Sequence, residues 1–317
     1  MSDHGIRSHR GTAQVVYTTA MLHRRDFLAR TVAIAAASAA PAAPQGKVPR
    51  RPGNRIRLAL NAYSFDKPLR DGSMTLADVV DYCAQHRIDS LDATGYYFPG
   101  YPQVPTPEYI HNLKRRAFLN GVAIHGTGVR NDFAVPDPAR RKDDVRLVKE
   151  WIGVARELGA SVIRVFSGQK VPGGYTFDQA LAWMAPDLRE CVAYGREHGV
   201  MVGLQNHNDF LKTADETIRL IQAVDSDWFG SILDVGSFRQ RDPYRETETL
   251  LPYAISWQLK ENVWDGKKEV PTDLAKVKAI VERIGYSGVL PIETLGAGDP
   301  RVKVARFVEQ VRQVFLL

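Results

Sequence analysis

Four stretches in the second half of the chain each run apolar residues into one potential ligand or proton-transfer group. Val200-Met-Val-Gly-Leu-Gln205 continues into Asn206-His207-Asn208-Asp209, so an apolar strand pattern ends in amides, an imidazole and a carboxylate. Residues 229–236 carry Asp234, residues 255–261 carry Gln258 and Lys260, and residues 288–294 carry Glu293. Gln205, Asp234, Gln258 and Glu293 are separated by 29, 24 and 35 residues. Each gap is about what a strand, a helix and two short loops require when neighbouring parallel strands are joined by helices. Such a chain brings all four side chains to one face of one sheet.

The elements that must position them repeat along the chain. Strand patterns are expected at 57–65, 90–98, 122–129, 161–167, 200–207, 229–235, 255–261 and 288–294. Helical periodicity fills 74–86, 107–120, 138–158, 177–198, 212–224, 243–252, 272–284 and 300–315. Thr75, Thr213 and Thr272 are expected N-caps, and Gly121, Gly159, Gly199 and Gly285 follow the last helical turns. Eight strand-helix units in residues 55–317 make a single (β/α)8 TIM barrel, an α/β fold. Function in such a barrel lies at the C-terminal strand ends. That places Asn61, Tyr63 and Ser64, Thr94 and Tyr96, His125, Arg130 and Asn131, and Arg164, Phe166 and Ser167 around the same mouth. With His207, Asn208 and Lys260 added, the lining of amides, hydroxyls and bases suits a polyhydroxylated ligand. Tyr96, Tyr97, Phe98 and Trp264 are available to stack on a sugar face.

Composition narrows the partners. The chain carries 42 Lys and Arg against 36 Asp and Glu, a net charge of +6. Five of those Arg and two of the Asp lie in the first forty residues, and without them the surplus is +3. So mild a surplus predicts no nucleic-acid binding, and the basic run 47–57 reads as a solvated lead-in to the first strand. Cys83 and Cys191 sit in helical patterns far apart, and read as small buried hydrophobes.

Residues 1–45 read as an address. His23-Arg24-Arg25-Asp26-Phe27-Leu28-Ala29 precedes a short small-residue apolar run, 31–40, and Ala-x-Ala options such as Ala37-Ser38-Ala39. This resembles a twin-arginine signal, which implies the twin-arginine export machinery as a partner and a periplasmic or secreted protein. Twenty residues precede Met21, which is the expected true start. The apolar run is too short to span a bilayer, so no permanent membrane anchor is expected. The sequence leaves a homo-oligomer open.

Gly203-Leu-Gln-Asn-His207, Leu233-Asp-Val-Gly236, Trp257-Gln-Leu-Lys-Glu261 and Gly285-Tyr-Ser-Gly-Val-Leu-Pro-Ile-Glu293 resemble the second half of the sugar phosphate isomerase/epimerase-like, or xylose isomerase-like, barrels. The resemblance covers the whole barrel in architecture and specific motifs from about residue 200 onward. It implies one divalent metal ion held by the last four strands, with Asp234 and Glu293 matching the family's carboxylates. Gln205 stands where the family has Glu, and Gln258 where it has His. Both retain an oxygen donor, which favours Mn²⁺ or Mg²⁺ over zinc. The contrary expectation is a metal-free barrel in which the two Gln hydrogen-bond each other.

The resemblance further implies proton transfer next to a metal-polarised carbonyl. Since an amide at position 205 cannot accept a proton, Glu293 is the clear base, with Lys260 or His207 as the second acid/base group. Asn61, Tyr63, Tyr96, Arg164 and Asn208 are the expected substrate-binding residues. The expected function is a metal-dependent isomerase, epimerase or related lyase or hydratase. Its substrate is a non-phosphorylated sugar or keto-sugar, because export and the lack of a Gly-rich phosphate cradle argue against a sugar phosphate. A non-catalytic carbohydrate-binding barrel is the alternative. An apurinic endonuclease is set aside, as only His125 and His207 would lie at strand ends.

Overall fold

The structure is a computed structural model that describes residues 47–50 and 55–317. The expected signal, including Arg24, Arg25 and Met21, lies outside the described residues. Eight parallel strands close into a barrel: β1 Ile56–Asn61, β2 Ser90–Thr94, β3 Ala123–Gly128, β4 Val162–Phe166, β5 Met201–Gln205, β6 Phe229–Asp234, β7 Ala254–Lys260 and β10 Gly288–Glu293. β10 pairs with both β1 and β7, which completes the ring. The fold is a single (β/α)8 barrel, as the alternation of patterns predicts.

Helices lie between the strands where the periodicity places them, and their ends follow local chemistry. Thr75 and Thr213 each close a capping box, with Asp78 and Glu216 returning the bond. Gly159, Gly199 and Gly285 take left-handed conformations and end their helices. Thr272 is not the cap of its helix: Asp273 takes that place, accepting from the Lys276 N–H. Expected strands at 57–65 and 90–98 overrun, because the chain leaves β1 and β2 through short 3-10 turns at Ala62–Phe65 and Gly95–Tyr97. The Asn61 side chain starts the first of these by accepting from the Tyr63 N–H at 2.9 Å.

Two features depart from the expected alternation. After β7 the chain forms an antiparallel hairpin, β8 Asn262–Asp265 and β9 Lys268–Pro271, before the next helix. Residues 47–50 do not all behave as solvated lead-in: the Arg50 guanidinium donates to the Ser287 and Ala254 carbonyls at 2.8 and 2.7 Å and lies 4.3 Å over the Tyr286 ring. Cys83 and Cys191 are buried and unpaired with one another, as small hydrophobes in the helix-barrel core. Among the described residues no helix is long and apolar enough to cross a membrane.

Candidate active site

Strand register assembles the site before any side-chain contact is considered. In parallel strands, paired residues share a face, and residues two apart on one strand do as well. Asp234 pairs with Gln258 across β6 and β7, and Glu293 pairs with Lys260 across β10 and β7. Gln258 and Lys260 are two apart, so all four side chains face one another at the C-terminal end. Register shifts at Ser231/Ile232 and Leu91/Asp92 lie just below Asp234 and beside Asp92, where bulges re-aim side chains into the mouth.

These residues form one continuous polar network at the floor of the mouth. Gln205 Nε2 donates to Asp234 Oδ2 at 2.8 Å and to Gln258 Oε1 at 2.6 Å. Asp234 Oδ1 accepts from the Gly236 N–H at 3.0 Å. Its backbone is held by Asn206, whose amide accepts from the Asp234 N–H and donates to the Asp234 carbonyl. Lys260 Nζ reaches Glu293 Oε1 in a direct ion pair and lies 3.5 Å from Asp234 Oδ2. Asp234, Glu293, Gln205 and Gln258 are all buried. Burial alone would lower the Lys260 ammonium's pKa, but Asp234 and Glu293 outweigh that and hold it above the ordinary value.

Above this floor opens a cavity of about 550 Å³ lined by Asn61, Tyr63, Tyr96, Arg164 and the network residues Gln205, Gln258, Lys260 and Glu293. Its size lies in the usual range for a small-molecule site. Arg164 is fixed beneath one wall by donating to Tyr96 Oη at 2.6 Å and to the Val129 carbonyl at 2.9 Å. Arg130 stacks over the Tyr96 ring at 5.1 Å. Asn61 Oδ1 also accepts from Thr94 Oγ1 at 3.1 Å. Burial, then Asp66 and Glu293, pushes the Tyr63 phenol upward, so it faces the cavity as a hydroxyl donor.

Several expected residues lie elsewhere. His207 is on the rim, 45% exposed and paired through Nδ1 with Asp209 at 2.7 Å, with its ring against Phe166. It lines the cavity but has no direct bond to Glu293 or Lys260. Asn208 lines a smaller adjoining hollow with Arg239 and Trp264 instead of the main cavity. Trp264 is on β8, with Arg239 4.5 Å over its ring. Phe98 is in the core, and the Tyr97 hydroxyl donates to Asp66, so neither is a stacking platform for the cavity. His125 lies within β3, where burial lowers its pKa to about 4, and it does not line the cavity.

One residue escaped the sequence reading. Asp92 is buried in β2, and its carboxyl is pushed up to about 6 by burial and by Glu293, against the pull of Arg164. A carboxylate inside the expected strand Ser90-Leu-Asp-Ala-Thr94 was the available signal. The folded carboxyl keeps its proton up to about pH 6, whereas the unfolded chain releases it near 3.8, so Asp92 removes stability as pH rises through that window. Asp92→Asn should therefore flatten the pH profile, stabilising the protein by roughly 2 kcal/mol at pH 7 relative to pH 4. Urea unfolding at the two pH values checks this, and an unchanged slope contradicts it.

The donor set does not fit the expected divalent metal. Only two of the four expected donors, Asp234 and Glu293, are carboxylates. Both Asp234 oxygens and Gln258 Oε1 already accept protein hydrogen bonds, and an ammonium lies between the two carboxylates. The two Gln residues bond each other.

A family model described as xylose isomerase-like TIM barrel matches residues 80–311, and the chain belongs to that family. No curated protein matches the sequence. Among solved structures, D-psicose 3-epimerase with D-tagatose from Clostridium cellulolyticum H10 has a TM-score of 0.68 at 16% identity, over 82% of this chain and 99% of that one. The apo form of 3-keto-D-glucoside 4-epimerase from E. coli has a TM-score of 0.65 at 13% identity, over 82% and 100%. The IolI protein with a binding zinc atom has a TM-score of 0.67 at 14% identity, over 82% and 100%. At such identities the likeness is one of fold.

Proposed function

We propose that the protein is an isomerase or epimerase of a non-phosphorylated keto-sugar, acting by proton transfer on a carbon next to a carbonyl. The observation that carries this reading is the Lys260–Glu293 ion pair, buried at the floor of a sugar-sized cavity walled by amides, phenols and a guanidinium. Glu293 is the base: it takes the proton from the carbon beside the carbonyl, and the electron pair moves onto the carbonyl oxygen. Lys260 presents positive charge to that oxygen as it becomes an enediolate. Returning the proton to the former carbonyl carbon, while the hydroxyl proton passes from one oxygen to the other by way of Lys260, gives an isomer; an epimer needs in addition a proton delivered from solvent to the opposite face of the carbon that lost one. If the neighbouring carbon carries a leaving group, the same enediolate expels it, which is the lyase form of the reaction. Asn61, Tyr63 and Tyr96 hold the sugar hydroxyls, and Arg164 orients Tyr96. The fold neighbours include two sugar epimerases, which supports the substrate class. His207, on the rim, is suited to contact the outer part of a substrate more than to exchange protons at the reacting carbon.

The test is a panel of D-psicose, D-tagatose, D-fructose and 3-keto-D-glucosides followed by chromatography for new sugars. Conversion of one of them supports the reading. Tight binding without conversion favours the non-catalytic barrel.

The same proposal places the reaction outside the cytoplasm, through the signal resemblance at Arg24 and Arg25. Replacing both Arg by Lys should retain the protein in the cytoplasm, because the translocase reads the guanidinium pair. Fractionation of cells expressing the double variant checks this, and undiminished export contradicts it.

A further inference from the structure

We propose that the Lys260 ammonium is the resident cation of this barrel, standing between Asp234 and Glu293 and keeping a divalent metal out. The inference rests on the proposed reaction only for what the cation does to a substrate; the assignment of the cation itself stands on geometry and charge.

Three observations converge. The ammonium pairs with Glu293 and approaches Asp234 Oδ2 at 3.5 Å, so one positive charge is shared by the two carboxylates. Part of the oxygen set a metal would need is engaged as well. Asp234 accepts from Gln205 and the Gly236 N–H, and Gln258 Oε1 accepts from Gln205. The lysine is also built into its position. A Cβ at Gly236 would lie 2.6 Å from Lys260 Cγ, so the stem runs against bare backbone there. The Lys260 carbonyl, meanwhile, accepts from Thr272 Oγ1 at 2.8 Å. A glycine that admits the stem, and a backbone anchored at the same residue, fix the head group in one place.

Charge gives the same answer. Two carboxylates and one ammonium leave the network at −1, and the two Gln contribute none. A dication entering beside the ammonium would meet direct repulsion in a buried setting, where screening is weak. Removing the ammonium reverses this, leaving two facing carboxylates and two amide oxygens, all hard donors suited to Mn²⁺ or Mg²⁺.

The experiment is a Mn²⁺ titration of the purified mature protein, followed by the loss of free-ion spin resonance signal and by thermal melting. Wild type should take up well under one equivalent and melt at the same temperature with and without Mn²⁺. Lys260→Met, which retains much of the stem, should take up one equivalent and gain melting temperature with Mn²⁺; Lys260→Gln provides a second neutral variant should the first fold poorly. One equivalent bound by wild type and lost in Asp234→Ala overturns the proposal. So does a pair of Lys260 variants as indifferent to Mn²⁺ as wild type, since the lysine would then not be what excludes the ion. Keto-sugar turnover in the presence of EDTA separates this claim from the proposed reaction. Turnover that EDTA abolishes overturns the resident-cation assignment while leaving the isomerase reading intact. Failure to convert any keto-sugar removes that reading, while the titration still decides the cation.

Discussion

Glu293→Gln lowers turnover of the keto-sugar substrate by about a hundredfold or more, the usual scale for loss of a general base, while the barrel stays folded. Glutamine is nearly isosteric and keeps a hydrogen-bond acceptor for Lys260, and Asp234 remains as the ammonium's counter-charge at 3.5 Å. The loss is therefore one of proton acceptance and not of architecture. Steady-state kinetics should show the fall mainly in kcat, because the sugar-holding wall of Asn61, Tyr63 and Tyr96 is untouched. A variant that turns over at the wild-type rate removes Glu293 from the role of base.

Lys260→Met is expected to have the larger effect on stability. Lys260 is 12% exposed at its side chain, and its partners Asp234 and Glu293 are 0% and 3% exposed. Deleting one partner of a buried ion pair costs about 3–5 kcal/mol, because the charge left behind is neither paired nor solvated. Here two carboxylates are left facing each other. In a domain of this size that corresponds to a fall of roughly 10 °C in melting temperature. The cost belongs to the pairing and not to the lost stem, so Asp234→Asn in the Lys260→Met background should recover part of it. Additive losses in that double-mutant cycle would contradict a coupled network.

The fold was legible because its signals are local and repeated. Helices at 138–158, 177–198 and 300–315 begin at Pro or capping residues and end at glycine or at the chain's last turns, so periodicity and caps agree on their limits. The ends of β1 and β2 were less legible, since apolar residues such as Phe65 continue past the strand into 3-10 turns that also face the core. The β8–β9 hairpin was missed although Asp265-Gly266 carried a turn signal, because its strands are short, polar and half-exposed. At the site, the four converging side chains were readable from spacing alone. What filled the space between them was not. Whether Lys260 turns inward depends on the β7–β10 register and on the room beside Gly236, and neither is encoded near residue 260. Phe98 and His125 went astray for the related reason that a residue's position along a strand does not fix its height at the mouth.

Solvent-deuterium exchange into the substrate tests the central claim most directly. Incubating wild type in D₂O with the keto-sugar it converts should place deuterium on the carbon beside the carbonyl, in the share of turnovers in which Glu293 exchanges its proton with solvent before returning it. Glu293→Gln should lose exchange and turnover in parallel. Conversion of the sugar with no deuterium incorporated by wild type, or exchange that persists at the wild-type rate in Glu293→Gln, would contradict proton transfer by this carboxylate.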